Sequence, residues 1–210
     1  MKVLIVSASQ RESSMSLALS QHIEHTVFSN NQAVESHILD LCQYSVLLDH
    51  YGVSREEDER LQQQKEQVLG QLYACDAVVF VVPEWGGMVP PALVNLLLLT
   101  ANGSAGGLPL GHKPAFAVGV SAAGGGANPI SLLKAYAAKN SHLTWLPLHA
   151  IVQNVADFIE TPWQPEGDSR INNVQSRVAV GLKALLIYAE QLKPAREELV
   201  TLSKINPFGQ

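Results

Sequence analysis

Lys2-Val3-Leu4-Ile5-Val6-Ser7-Ala8-Ser9-Gln10-Arg11-Glu12-Ser13-Ser14-Met15-Ser16 carries an apolar run, a polar turn and the start of a helical pattern within one short span. The run from Lys2 to Val6 is short and β-branched, the pattern of a strand buried on both faces. It breaks into a serine-rich turn with one arginine. A helix-period segment follows directly, with Ser16 as its expected N-cap. A strand, such a turn and a helix N-terminus together make an anion site. The turn offers hydroxyls and backbone N–H groups, the helix start adds unpaired N–H groups, and Arg11 adds a fixed charge. A phosphate group is the natural guest.

Outward from this span, apolar runs recur at regular intervals: Val34 to Leu41, more polar, as an edge strand would be; Ala77 to Val82, the most strongly apolar; Ala115 to Val120; and Leu146 to Val155. Helix-period segments lie between them. Leu17, Leu19 and Ile23 mark the first. The second follows the acidic stretch Glu56-Glu57-Asp58-Glu59 and runs through Leu61, Val68, Leu69 and Leu72. The third starts near Pro90-Pro91 and carries Leu93 and Leu96 to Leu99. The fourth covers Pro129 to Lys139. In the last, Ile171, Val174, Val178, Leu182, Leu185, Ala189 and Leu192 form one stripe that stops before Pro194. Residues 42–55 and 156–169 show no period, and the tail after Pro194 is expected to be partly extended. Strands alternating with helices predict an α/β fold: a doubly wound, three-layer, five-stranded parallel sheet in one domain, residues 1–193, followed by a C-terminal tail, 194–210. Such sheets bind ligands at the carboxyl ends of their strands, where the strand order reverses.

The loops after strands one, three and four should converge there. The second of them is Pro83-Glu84-Trp85-Gly86-Gly87-Met88-Val89-Pro90-Pro91, and the third is Ser121-Ala122-Ala123-Gly124-Gly125-Gly126-Ala127-Asn128. Glycines let backbone N–H groups approach a planar ligand with no Cβ in the way. Trp85 can cover a ring. Phosphate at loop one and a flat heterocycle between loops two and three describe a mononucleotide such as FMN.

The bulk properties narrow the class. The 210 residues are 47% apolar and 16% charged, with a formal charge of −5 and no basic stripe, which argues against nucleic acid as a partner. No signal peptide pattern opens the chain, and the longest apolar stretches are too short to span a bilayer. Cys42 and Cys75 have no metal or redox spacing and fit a reducing, cytoplasmic setting as half-buried core thiols.

The chain resembles the NAD(P)H-dependent FMN reductases of the flavodoxin-like fold. Their opening signature, G-S-x-R-x-x-S-x-N, is matched by Ala8-Ser9-Gln10-Arg11-Glu12-Ser13-Ser14-Met15-Ser16, with Ala8 for Gly and Ser16 for Asn. Their second signature, P-E-Y-N-x-S-x-P-G-x-L-K-N, is matched over Pro83 to Asn95 at its Pro, Glu, Pro, Leu and Asn positions. Trp85 replaces Tyr, Gly86 Asn, Met88 Ser, Pro91 Gly and Val94 Lys. The resemblance implies strand order 2-1-3-4-5. It also implies that Ser9, Arg11, Ser14 and Ser16 hold the FMN phosphate. Pro83, Glu84, Trp85, Gly86, Gly87 and Met88 would line the ring and ribityl chain, mostly through backbone, and Ser121, Gly124 and Gly125 would face the ring edge. It implies hydride transfer from NADPH or NADH and a small-molecule electron acceptor such as flavin, a quinone or an azo compound. No acid–base side chain is demanded, and a homodimer or homotetramer is expected.

Alternatives stand beside this reading. Arg11 can be a surface arginine paired with Glu12 or a helix acid, Trp85 a core or interface aromatic, and Gly124 to Gly126 a plain turn. His22 and His25, three apart on a helix, are read as solvated surface rather than a metal site. The substitutions at Gly86, Pro91 and Val94 keep open a non-catalytic flavin-binding or regulatory module of the same fold.

Overall fold

The computed structural model describes residues 1–29, 31–48, 59–101 and 107–206. Five strands, β1 (Lys2–Ser7), β2 (Glu35–Asp40), β3 (Ala77–Pro83), β4 (Pro114–Val120) and β5 (Thr144–Val152), form one sheet in the order β2-β1-β3-β4-β5. Every pairing is parallel. The predicted architecture and strand order are therefore those of the molecule.

Alternation along the strands divides the core in two, because successive side chains point to opposite faces. Leu4, Val6, Val78, Phe80 and Val82 face α2 (Glu59–Ala74), α3 (Pro91–Leu99) and α4 (Ala127–Tyr136). Val3, Ile5, Val79, Val81, Val118 and Val120 face α1 (Met15–Ile23), α6 (Val155–Glu160) and α7 (Arg170–Leu192). With helices on both faces, strands β1, β3 and β4 must be apolar at almost every position, which is why they stand out as continuous runs. The edge strand β2 buries only Leu39 fully and reads as more polar.

Several expectations need correction. The N-cap of α1 is Ser14, whose side chain accepts from Leu17 N–H at 3.1 Å, so Ser16 lies inside the first turn. Both positions carry serine, and only backbone geometry separates them. Residues 156–169 are not wholly irregular: α6 occupies their start and is too short to show a period in the sequence. The fourth helical segment breaks into α4 and the single turn α5 (Ala138–Ser141). The tail is helical rather than extended: a 3₁₀ turn at Lys193–Ala195 leads into α8 (Arg196–Ser203). Arg196 and Lys193 anchor it on Asp76, at 3.6 and 3.1 Å. Pro194 is accommodated in the first turn after α7, where its missing N–H costs little. Glu56, Glu57 and Asp58 lie outside the described residues; Glu59 opens α2.

Candidate active site

Parallel register brings the carboxyl ends of β1, β3 and β4 together: Ser7 stands opposite Val81, and Pro83 opposite Val120. The three unusual loops leave the sheet side by side, at the reversal of strand order.

Loop one is folded by its own serines. Ser9, 1% exposed, accepts from Arg11 N–H at 3.1 Å. Ser13 takes a positive φ of 49°, turning the chain into α1. Ser16 is also 1% exposed, and its hydroxyl has no hydrogen-bond partner. A buried hydroxyl left unpaired in the first turn of a helix, among amides that lack intrahelical acceptors, is uncommon and asks for a reason. Gln10, which sequence reasoning passed over, accepts from Ala92 N–H at 3.1 Å and ties the loop to the first turn of α3.

Loop two is a tight hairpin. Trp85 and Met88 exchange both backbone hydrogen bonds, at 3.2 and 2.9 Å, around Gly86 and Gly87 with φ of 56° and 81°. Two consecutive positive φ values are the mark of a type I′ turn, which asks for Asn or Gly. Gly86 in place of the signature's Asn therefore keeps the backbone and removes only a side chain. The turn's own bonds leave the Gly86 and Gly87 amides free to donate outward. Arg11 lies over the Trp85 indole, 4.8 Å from guanidinium carbon to ring centroid. Arg11 is exposed and Trp85 half-buried, and their contact joins loops one and two. Asn95, the last position of the signature, donates to Leu47 O at 2.6 Å and pins the turn that follows β2.

Loop three is held by its own serine and from outside itself. The Glu84 carboxylate accepts from Gly126 N–H at 2.5 Å, so this side chain is a strut between loops two and three. Ser121 Oγ accepts from Ala123 N–H and Gly125 N–H, at 3.1 and 3.2 Å. Gln153, just beyond β5, donates to Gly124 O and Gly125 O and accepts from Arg170. Its only sequence signal was to be the first polar residue after an apolar run. A Cβ on Gly119 would run into the Gly126 carbonyl, so the loop closes tightly back over β4. Ser9, Arg11, Ser14 and Ser16 thus gather in one turn, Pro83 to Met88 in the second and Ser121, Gly124 and Gly125 in the third, on one edge of the sheet.

Residues 1–156 match the family described as NADPH-dependent FMN reductase. The chain belongs to that family. As an NAD(P)H-dependent FMN reductase it is an oxidoreductase whose cofactors are FMN and NADPH or NADH. Solved structures of the same fold include an oxidoreductase from Corynebacterium diphtheriae at 12% identity, covering 90% of this chain and 97% of that one, TM-score 0.65. The flavoenzyme NAD(P)H:(acceptor) oxidoreductase FerB from Paracoccus denitrificans matches at 17%, covering 90% and 97%, TM-score 0.54. An azoreductase from Bacillus anthracis matches at 16%, covering 91% and 99%, TM-score 0.51. No curated protein matches the chain in sequence. The orphaned Ser16 hydroxyl and the glycine-lined hairpin fit the phosphate and the flat ring of this reductase's flavin.

The histidine pair does not form a second site. His22 is half-buried, its ring meeting Phe158 and Trp163 edge-on at 5.9 and 6.0 Å between centroids, whereas His25 is exposed. Burial pushes its pKa below the ordinary value, and His25 adds to that shift. Among the described residues no group of three or more His, Cys, Asp or Glu could hold a metal ion, and no helix is long and apolar enough to cross a membrane.

Proposed function

We propose that this FMN reductase passes electrons from NADPH or NADH to a small-molecule acceptor such as free flavin, a quinone or an azo compound, with FMN held across the three loops. In this reading Ser9, Arg11, Ser14 and Ser16 hold the phosphate. Pro83 to Met88 line the ring and ribityl chain, and Ser121, Gly124 and Gly125 meet the ring edge. The observation that carries it is the buried, unpartnered Ser16 hydroxyl at the start of α1.

Bound FMN supplies the two-electron chemistry. The chain's part is position and electrostatics. Arg11 and the amides at the start of α1 favour a dianionic phosphate. The Gly86 and Gly87 amides, fixed in a rigid turn, are placed to stabilise negative charge on a ring held against them. Glu84 and Gln153 keep loop three from collapsing into the crevice. No side chain is assigned as a general acid or base.

The exposed apolar side chains Leu48, Met88 and Leu98 support pairing of two or more copies. Two free cysteines fit a reducing compartment. The reading is tested by titrating the apoprotein with FMN. A rise in Tm and quenching of flavin fluorescence, both weakened in Arg11→Ala, are expected. A Tm untouched by saturating FMN overturns it.

A further inference from the structure

At the opposite end of the sheet, before the strands begin, lies a buried thiol–amine pair that flavin chemistry does not use. Cys75 closes the α2–β3 turn at 5% exposure, and its thiol donates to Leu72 O at 3.3 Å. Lys113, the residue before β4, is 4% exposed. Its ammonium donates to Leu72 O and Tyr73 O, at 2.5 and 2.9 Å, and lies 3.9 Å from Cys75 Sγ. Neighbouring Asp76 is engaged elsewhere, by Lys2 N–H, Lys193 and Arg196, so among the described residues no carboxylate bonds the buried lysine. Burial raises the thiol's pKa and lowers the amine's, so both are pushed toward their neutral forms. A cavity of about 500 Å³, lined by Lys2, His37, Gln67, Gly70, Gln71 and Cys75, borders the turn that carries the thiol.

We infer that Cys75 and Lys113 form a peroxide-dependent covalent cross-link in which one oxygen atom bridges Sγ and Nζ. The first hydrogen peroxide oxidises the thiol by two electrons. Its O–O bond breaks, an S–O bond forms, and the products are a sulfenic acid and one water. A second peroxide removes two electrons from the amine nitrogen as that nitrogen bonds the sulfenic oxygen. The departing oxygen atoms take up the protons and leave as two waters. In sum, a thiol, an amine and two peroxides become an S–O–NH bridge and three waters. One inserted oxygen asks for a smaller movement of Nζ from its 3.9 Å separation than a direct S–N bond would. The bridge joins the residue ahead of β4 to the turn ahead of β3. This inference is independent of where FMN binds.

The test is a titration of the wild-type holoenzyme with hydrogen peroxide, followed by digestion and mass spectrometry. The expected product is a Cys75 peptide joined to a Lys113 peptide, heavier than their sum by one oxygen and lighter by two hydrogens, and separated again by dithiothreitol. It is absent from Cys75→Ser and from Lys113→Arg, which keeps the charge and donors but lacks the amine. A rise of several degrees in Tm accompanies it, since the link closes a long loop. Cys75 passing to sulfinic acid with Lys113 unmodified overturns the inference. So does an unmodified Cys75 at a dose that fully oxidises half-buried Cys42.

Discussion

Replacing Ser16 by Ala should move stability and cofactor affinity in opposite directions. The hydroxyl is 1% exposed and has no partner, so folding strips it of water and returns nothing. Burying an unpaired hydroxyl costs about 1–3 kcal/mol on the scale of protein mutations. Alanine removes that penalty and is the better helix former by about 0.5 kcal/mol. Against this stands the packing of one lost oxygen, well under 1 kcal/mol at about 0.1–0.2 kcal/mol per atomic contact. The apoprotein should therefore gain about 1 kcal/mol, a rise in Tm of roughly 2–4 °C for a chain of this size. A hydrogen bond to a charged phosphate contributes about 1.5–3 kcal/mol, so FMN should bind about ten- to a hundredfold more weakly. Thermal melts of the apoprotein and fluorescence titration with FMN measure the two effects separately. A Ser16→Ala protein that melts lower than wild type and binds FMN equally well refutes the reasoning, because the hydroxyl would then serve the fold and not the cofactor.

Glu84→Ala removes the strut to Gly126 and should raise the FMN Kd by about 5–30-fold, a discounted 1–2 kcal/mol for a half-buried charged hydrogen bond; Glu84→Gln, which keeps an acceptor, should recover most of it in the same titration. Gly86→Asn should leave Tm unchanged, because a Cβ there has nothing within 4 Å and Asn tolerates its φ of 56°, and should tighten FMN binding by about 2–10-fold if the turn faces the flavin, as one neutral hydrogen bond allows. Asp76 sets an acid limit. Burial raises its pKa, but the Lys2 amide, Lys193 and Arg196 outweigh that, and the net value lies below the ordinary carboxylate range. A depressed folded pKa gives stability that is present above about pH 4 and lost as pH falls through the lower folded value. Urea melts of Asp76→Asn should thus fall short of wild type by about 1–3 kcal/mol at pH 7, with the gap closing below about pH 4.

The fold was legible because the strongest signals are local. Ala77 to Val82 and Ala115 to Val120 are fully buried strands, and a run apolar at every position needs cover on both faces. The tail was not legible. Arg196 and Lys193 reach Asp76 across more than a hundred residues, and docking a short helix by such contacts leaves no period in the sequence. His22 was misread for a similar reason. Its aromatic neighbours, Phe158 and Trp163, come from the segment around α6, and nothing near His22 in the chain announces them.

The candidate site divides along the same line. Residues that shape a loop through their own neighbours could be found: Ser9 bonds Arg11, Ser14 bonds Leu17, and the Gly86–Gly87 pair sets its own turn. Of the residues that hold one loop against another, only Glu84 was singled out, and for lining the ring rather than for bracing. Gln10 reaches Ala92, Glu84 reaches Gly126, and Gln153 reaches Gly124 and Gly125. Glycine-rich loops need such outside help, because each glycine gains backbone freedom and brings no side chain with which to restrain it. A crevice built from bare amides must therefore recruit its rigidity from polar side chains on adjacent loops. This gives a different weight to the departures from the family signature. Gly86 keeps a turn that Asn would also accept, and Pro91 sits at the first position of α3, where proline is favoured. The positions that brace the crevice, Glu84 and Asn95, are among those retained. The substitutions thus leave intact the frame that presents the amides.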